Sequence, residues 1–158
     1  MIAIGFRVSP TQVTYAIVDG PVNSTFTLAR FGDVVVPIAL DPPRQLHHVR
    51  GALLDIIEEN GATRGGLRLA EATARHIDAF RLNIEGVVRE MLVSSGVERF
   101  VEGRIANIAG LLGEHDRRVI KEYIAGRKPA YIAADWDALA PVAREAALIA
   151  VAAASPTP

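Results

Sequence analysis

Gly65-Gly66-Leu67-Arg68-Leu69-Ala70-Glu71 is the stretch on which the fold turns. It is a short apolar run, opened by two glycines and closed by an acid, and a long helical pattern precedes it. A strand reached through a helix adds to a sheet in parallel, by a right-handed crossover. The chain upstream follows a different rule. Residues 2–8 are apolar and β-branched, Ser9-Pro10-Thr11-Gln12 is a turn, and Val13 to Val18 alternates before Asp19-Gly20-Pro21 breaks the chain. That is a hairpin. A third strand lies within Thr25–Val36, either as one piece or bent at Gly32-Asp33. Three antiparallel strands therefore come before the first crossover.

The helices carry clear end signals. Asp41 is an N-cap with prolines 42 and 43 in the first turn, where proline is tolerated. Leu46, Val49, Leu53, Ile56 and Ile57 recur at helical spacing, and Asn60-Gly61 closes the segment. Ile77, Phe80, Ile84, Val87, Val88 and Met91 mark one face of a second helix, ended by Ser94-Ser95-Gly96. A fifth strand is expected over 97–101. Helical segments follow at 105–112 and 115–125, then a Gly126–Pro129 break and a last helix over 137–153. The order predicts an α/β fold with a mixed five-stranded sheet flanked by helices, one domain over residues 1–154 and a disordered tail at 155–158.

Composition narrows the function classes. The chain has 158 residues, enough for a substantial core, and half of them are hydrophobic. Aromatics are scarce, so Val, Ile, Leu and Ala must fill that core. A net charge of −1 advertises neither a general basic field nor an acidic tail, although a local basic face fits a neutral total. The absence of cysteine excludes a disulfide scaffold, a Cys-ligated zinc site and a thiol nucleophile. The start of the chain lacks a signal peptide's basic region, and the longest apolar run, Ala146 to Ala154, is too short to span a bilayer. The expectation is a cytoplasmic protein without a membrane partner.

Three places resemble the ribonuclease H-like superfamily, and RuvC-type resolvases within it. Ile2–Gly20 is similar to their first hairpin. Leu67-Arg68-Leu69-Ala70-Glu71 is similar to the strand that carries their second acid. Arg144-Glu145-Ala146-Ala147-Leu148-Ile149-Ala150-Val151 resembles their last helix, where an acid precedes an alanine-rich run. Ile84-Glu85-Gly86-Val87-Val88 and Glu145-Ala146-Ala147 also resemble a family of short, uncharacterised bacterial proteins of this fold. The resemblance implies catalytic, metal-binding roles for Glu71 and Glu145, with Mg²⁺ as the cation. It also implies a first acid at Phe6, or at Gly5 on a shifted alignment, and neither residue binds metal. Two-metal phosphodiester hydrolysis needs several carboxylates around cations about 4 Å apart. Two carboxylates would hold a single Mg²⁺ through waters at most.

Each candidate has a plain structural reading beside the functional one. Glu71 stands where open α/β sheets bind ligands. It would also serve as an ion-pair partner of Arg75 or His76, or as a helix cap. Glu145 falls among Val142, Ala146 and Ile149 at about 100° per residue. A carboxylate there is either a ligand or half of a buried ion pair. Arg144 lies off that face and is expected in solvent. Glu71, Arg75, His76 and Asp78 are expected to form one polar pocket, with Phe6 and Asp19 near the site. Glu85, flanked by Arg81 and Arg89 four residues either side, has helix ion-pair spacing. Gly86 is expected to let its helix approach the sheet. His47 and His48 point apart and read as surface residues. Arg117, Arg118, Lys121, Arg127 and Lys128 either grip phosphates or form a solvated face among Glu114, Asp116 and Glu122.

Three functions follow in order. The first is a nuclease-derived domain that binds nucleic acid or a protein partner without catalysis. The second is a Mg²⁺-dependent nuclease with an atypical acid set, Glu71 and Glu145 plus Asp19 or Asp78. The third is a structural or regulatory homodimeric subunit.

Overall fold

The computed structural model describes residues 1–21, 25–72, 76, 78–133 and 135–155. Its strands are β1 (Ile2–Val8), β2 (Gln12–Asp19), β3 (Phe26–Val35), β4 (Arg64–Arg68), β5 (Arg99–Gly103) and β6 (Ile132–Ala133). Its helices are α1 (Pro42–Asn60), α2 (Ala79–Ser94), α3 (Ile105–Leu111), α4 (Arg117–Ile124) and α5 (Pro141–Ala154), with a 3₁₀ turn at Trp136–Ala138. The sheet order is β5-β4-β1-β2-β3-β6. β1, β2 and β3 pair antiparallel, and β4 and β5 join in parallel beyond β1. The expected mixed sheet gains a sixth strand, because residues 132–133 pair in parallel with the start of β3.

β3 is one strand and does not break at Gly32-Asp33. Its irregularity lies opposite Ile17/Val18, where the register shifts and Ala29 is skipped. That is a bulge, which bends a strand without ending it. α1 begins and ends on the expected signals. Asp41 accepts from the Arg44 backbone N–H, and Gly61 adopts φ 62° as the left-handed cap. The last helix starts later than its apolar pattern suggests, because Pro141 fits its first turn and the preceding residues tighten into the 3₁₀ turn.

The two faces of the sheet have separate cores. Ile4, Phe6 and Val8 of β1 alternate onto the face covered by α1 and α2, where they meet Leu53, Ile57, Ile84 and Val88. Each such fully buried aliphatic is worth roughly 1.5–3 kcal/mol relative to exposure. Ala3 points to the other face and joins α5 there. α5 is buried almost all round, since it lies between the sheet and a layer that includes α3, α4 and Trp136. Its alanines permit this, and so do two glycines. A Cβ on Gly5 would sit 1.9 Å from the Ala146 carbonyl oxygen, and one on Gly66 would sit 2.5 Å from that of Ile149. The helix backbone therefore rests directly on β1 and β4. This close seating brings the N-terminal part of α5, and Glu145 with it, to the ends of those two strands.

Candidate functional site

β1 and β4 run in parallel register and place Arg7 beside Arg68 at their C-terminal ends. Alternation along β1 sends Ile4, Phe6 and Val8 one way and Ala3, Gly5 and Arg7 the other. Arg7 therefore faces α5. Its Nε donates to Glu145 Oε2 at 2.8 Å, and its Nη1 donates to the Val8 carbonyl at 2.7 Å. Arg68 Nε lies 2.9 Å from the same Glu145 oxygen, close enough for an ion pair but not aligned as a hydrogen bond. Its Nη2 lies 2.8 Å from Glu71 Oε1. Arg68 thus bridges the two acids that the sequence singles out, and only 3% of its side chain is exposed. Glu71 Oε1 also accepts from the Ile105 backbone N–H at 3.1 Å, which ties it to the start of α3.

The cluster continues around the sheet end to α2. Glu85 is buried and accepts from the Ala70 N–H at 3.1 Å. Arg81 Nε stands 3.4 Å from Glu85, and Arg104 Nε donates to the Ala70 carbonyl at 3.0 Å. Among the described residues, Arg7, Arg68, Arg81 and Arg104 are thus interleaved with Glu71, Glu85 and Glu145. Burial first, and then the guanidinium of Arg7, make Arg81 easier to deprotonate than a free arginine, while Glu85 partly offsets them. Beside the cluster, Glu71, Ile105, Ala106, Arg117 and Lys121 line a cleft of about 330 Å³.

Glu71 and Glu145 come together, and the other expected members do not join them as supposed. Phe6 is a correction: its ring is wholly buried in the α1/α2 core, on the far face of the sheet from Glu145. The residue of β1 that meets Glu145 is Arg7. Asp19 is another correction. It pairs with Ile2 at the opposite end of β1, roughly 17 Å from the Arg7 position at strand rise, and contacts the N-terminal amine. Asp78 caps α2 by accepting from the Arg81 backbone N–H, and so touches the cluster only through the main chain. His76 is exposed, with no hydrogen bond or ion pair to Glu71 among the described residues. Arg75 lies outside the described residues, as does Ile77.

Other expectations also change. Arg144 is not in solvent. It is buried and donates to the carbonyls of Trp136, Ile124 and Asp137 at 2.9, 2.8 and 2.8 Å. Gly86 is exposed, and a Cβ there would meet nothing within 4 Å, so it does not mediate a close approach. Arg89 pairs with Glu102 of β5 rather than with Glu85. In the late basic group, Arg118 pairs with Asp116 and Arg127 with Glu122, whereas Arg117 and Lys121 open onto the cleft. His47 and His48 are exposed, as expected.

The acids do not suit Mg²⁺. Among the described residues, no three His, Asp or Glu side chains are placed to hold a metal together. Arg68 occupies one oxygen of each acid, and Arg7 a further approach to Glu145. At an effective dielectric of 20, a dication about 4 Å from a unit charge interacts with it by roughly 8 kcal/mol. Two guanidiniums therefore cancel most of what two carboxylates offer. The side chains supply their own cations.

No protein-family model matches the chain, and no curated protein matches its sequence. Solved structures do match. RuvC from Thermus thermophilus has a TM-score of 0.70 at 12% identity, over 96% of this chain and 92% of that one. T. thermophilus RuvC in complex with a Holliday junction substrate has a TM-score of 0.69 at 11% identity, with the same coverage. The yeast mitochondrial Holliday junction resolvase Ydc2 has a TM-score of 0.56 at 11% identity, over 96% of this chain and 78% of that one. At such identities the likeness concerns the fold, and this chain has a ribonuclease H-like fold in the arrangement of RuvC-type resolvases.

Proposed function

We propose that this chain is a non-catalytic, nucleic-acid-binding domain built on a nuclease fold. The observation that carries the reading is the pairing of Arg7 and Arg68 with Glu145, and of Arg68 with Glu71. Arginine occupies the ground between the acids where cleavage chemistry would need a cation with free coordination sites. The cleft beside it presents Arg117 and Lys121 one helical turn apart, suited to backbone phosphates. The T. thermophilus protein of similar fold is seen with a branched DNA, which makes a four-way junction the first ligand to try. A cytoplasmic setting accords with the lack of cysteine. Among the described residues, no helix is long and apolar enough to cross a membrane.

The test is retention of labelled junction, single-stranded and duplex DNA across a salt series. Binding should fall linearly in log salt, with a slope of about −0.9 per phosphate neutralised on duplex DNA. Replacing both Arg117 and Lys121 by Ala should flatten that slope by about two. No retention at low salt would overturn the proposal. So would Mg²⁺- or Mn²⁺-dependent cleavage that Glu145→Gln abolishes, since that is the behaviour of a nuclease with an atypical acid set.

A homodimeric subunit is the second reading, favoured by one feature. Phe31, Val35 and Ile38 are 52%, 61% and 93% exposed along β3 and its exit. Sedimentation velocity distinguishes it, because a monomer at micromolar concentration would remove that reading.

A further inference from the structure

The cleft beside the ion cluster carries three chemistries side by side. One wall is Glu71, whose side chain is 40% exposed. Its Oε1 accepts from the Ile105 N–H at 3.1 Å and lies 2.8 Å from Arg68 Nη2, so that oxygen is committed. Its Oε2 has no hydrogen bond or ion pair among the described residues. Ile105 and Ala106, from the first turn of α3, supply an apolar floor. The far wall is Arg117 and Lys121 of α4, which packs against α3. Neither is ion-paired among the described residues, whereas their neighbours Arg118 and Arg127 are. An acceptor, an apolar surface and two cations thus span one helix-to-helix spacing of about 8–10 Å.

We infer, resting on the reading of this cleft as a nucleic-acid site, that it takes one unpaired nucleotide and that Glu71 reads the base, favouring bases that carry an amino group. A volume of about 330 Å³ is at the small end of ligand pockets and suits a single nucleotide rather than a duplex. A nucleotide holds its phosphate and the amino edge of its base at opposite ends, with the sugar between them. Its ribose hydroxyls adjoin the phosphate. The separation of Glu71 from the two cations therefore selects the base edge over the sugar, with the sugar on Ile105 and Ala106. An ionised carboxylate only accepts, so it needs a base N–H. Cytosine, adenine and guanine offer an exocyclic amine. Thymine and uracil offer one ring N–H between two carbonyls, whose oxygens repel the carboxylate. Arg68 and the Ile105 N–H already hold Glu71 in place, so the contact costs little further side-chain freedom.

Fluorescence anisotropy of the full chain with short oligodeoxycytidine and oligodeoxyuridine, at one low salt concentration and above neutral pH, tests this. The two bases are equal in size and differ only on the edge offered to the carboxylate. Oligodeoxycytidine should bind roughly tenfold more tightly, the worth of one hydrogen bond to a charged group. Glu71→Gln adds an amide N–H that donates to the uracil carbonyl, and should remove or reverse the preference. Arg117→Ala with Lys121→Ala should weaken both oligonucleotides alike and keep their ratio, because phosphate contacts carry no base information. Equal affinity of the parent for the two oligonucleotides would overturn the inference and leave the nucleic-acid reading standing. A cytosine preference that survives Glu71→Gln would do the same. No binding of either oligonucleotide would overturn both.

Discussion

Truncating Glu145 to alanine separates an arginine-filled site from a metal site by the sign of its effect on stability. The carboxylate is 13% exposed and holds Arg7 and Arg68, whose side chains are 19% and 3% exposed. Removing one partner of a buried ion pair costs about 3–5 kcal/mol, because the remaining charge stays desolvated. Arg7 can turn partly toward water, which favours the lower half of that range, whereas Arg68 cannot. For a chain of this length, each kcal/mol moves Tm by about 2–4 °C, so a loss of about 3–4 kcal/mol in Glu145→Ala should lower the melting temperature by roughly 6–16 °C. A carboxylate held against another carboxylate in a metal-free nuclease site behaves oppositely, since its removal relieves repulsion. Urea unfolding followed by the single tryptophan is a suitable assay, because Trp136 is 4% exposed and its indole donates to the Tyr123 carbonyl. A control replaces Glu145 and both of its arginines at once, with Arg7→Met, Arg68→Met and Glu145→Leu, and leaves the 40% exposed Glu71 free to turn to water. Apolar replacement of a buried ionic cluster is often neutral or stabilising, so this triple variant should exceed Glu145→Ala by about 3 kcal/mol or more. If Glu145→Ala is as stable as the parent, the reasoning is refuted. It is refuted equally if Mg²⁺ stabilises the parent and Glu145→Ala abolishes that gain.

Three further outcomes follow from the packing. Gly5→Ala should destabilise by about 3 kcal/mol or more, because its Cβ would strike the α5 backbone, while Gly86→Ala should gain about 1 kcal/mol as an exposed helical site; chemical denaturation of the two variants checks both signs. Arg144→Met should cost about 2–4 kcal/mol by leaving the buried Trp136 carbonyl and the half-buried carbonyls of Ile124 and Asp137 without their donor, and a loss under 1 kcal/mol in urea would contradict that role. Burial and Glu114 push the ionisation of Tyr131 well above the ordinary 10.0, so the folded hydroxyl stays protonated where the unfolded one ionises. The stability this confers is complete below pH 10 and drains away as the pH rises beyond it. Tm should therefore fall more steeply above pH 10 in the parent than in Tyr131→Phe, and equal slopes would count against the Glu114 contact.

The parts of the fold that were legible in sequence are those fixed by local chemistry. Asp41, Pro42 and Gly61 bound α1 because capping and left-handed termination need only neighbouring atoms. The first hairpin and the parallel addition of β4 follow from alternation and from the helix between them. β6 was not legible, since two residues carry no periodicity and the pairing depends on where α4 delivers the chain. Arg144 misled for a related reason. A helical wheel shows which side of α5 it occupies, but not that three carbonyls from the 3₁₀ turn and the end of α4 converge there. Glu71 and Glu145 were legible as candidates. Their partners Arg7 and Arg68 were present as ordinary basic residues, and only the sheet register brings both onto one carboxylate.

The available signal was parity in β1. Gly5 must face α5, because the helix backbone lies where its side chain would be, and Arg7 shares that face while Phe6 does not. Two residue positions on one strand thus carry opposite consequences for chemistry. An acid placed at Phe6 would be buried in the α1/α2 core, facing Ile84 and Val88 rather than Glu145. An acid placed at Arg7 would meet Glu145 directly and remove one of its two counter-cations, leaving Arg68 as the remaining obstacle to a metal. The sheet end requires positive charge among its acids in either case, because Glu71 and Glu145 both approach one point. Metal ions can supply that charge with open coordination positions, and guanidiniums supply it with none. The same electrostatic demand that would build a nuclease is therefore met here by a closed ion cluster.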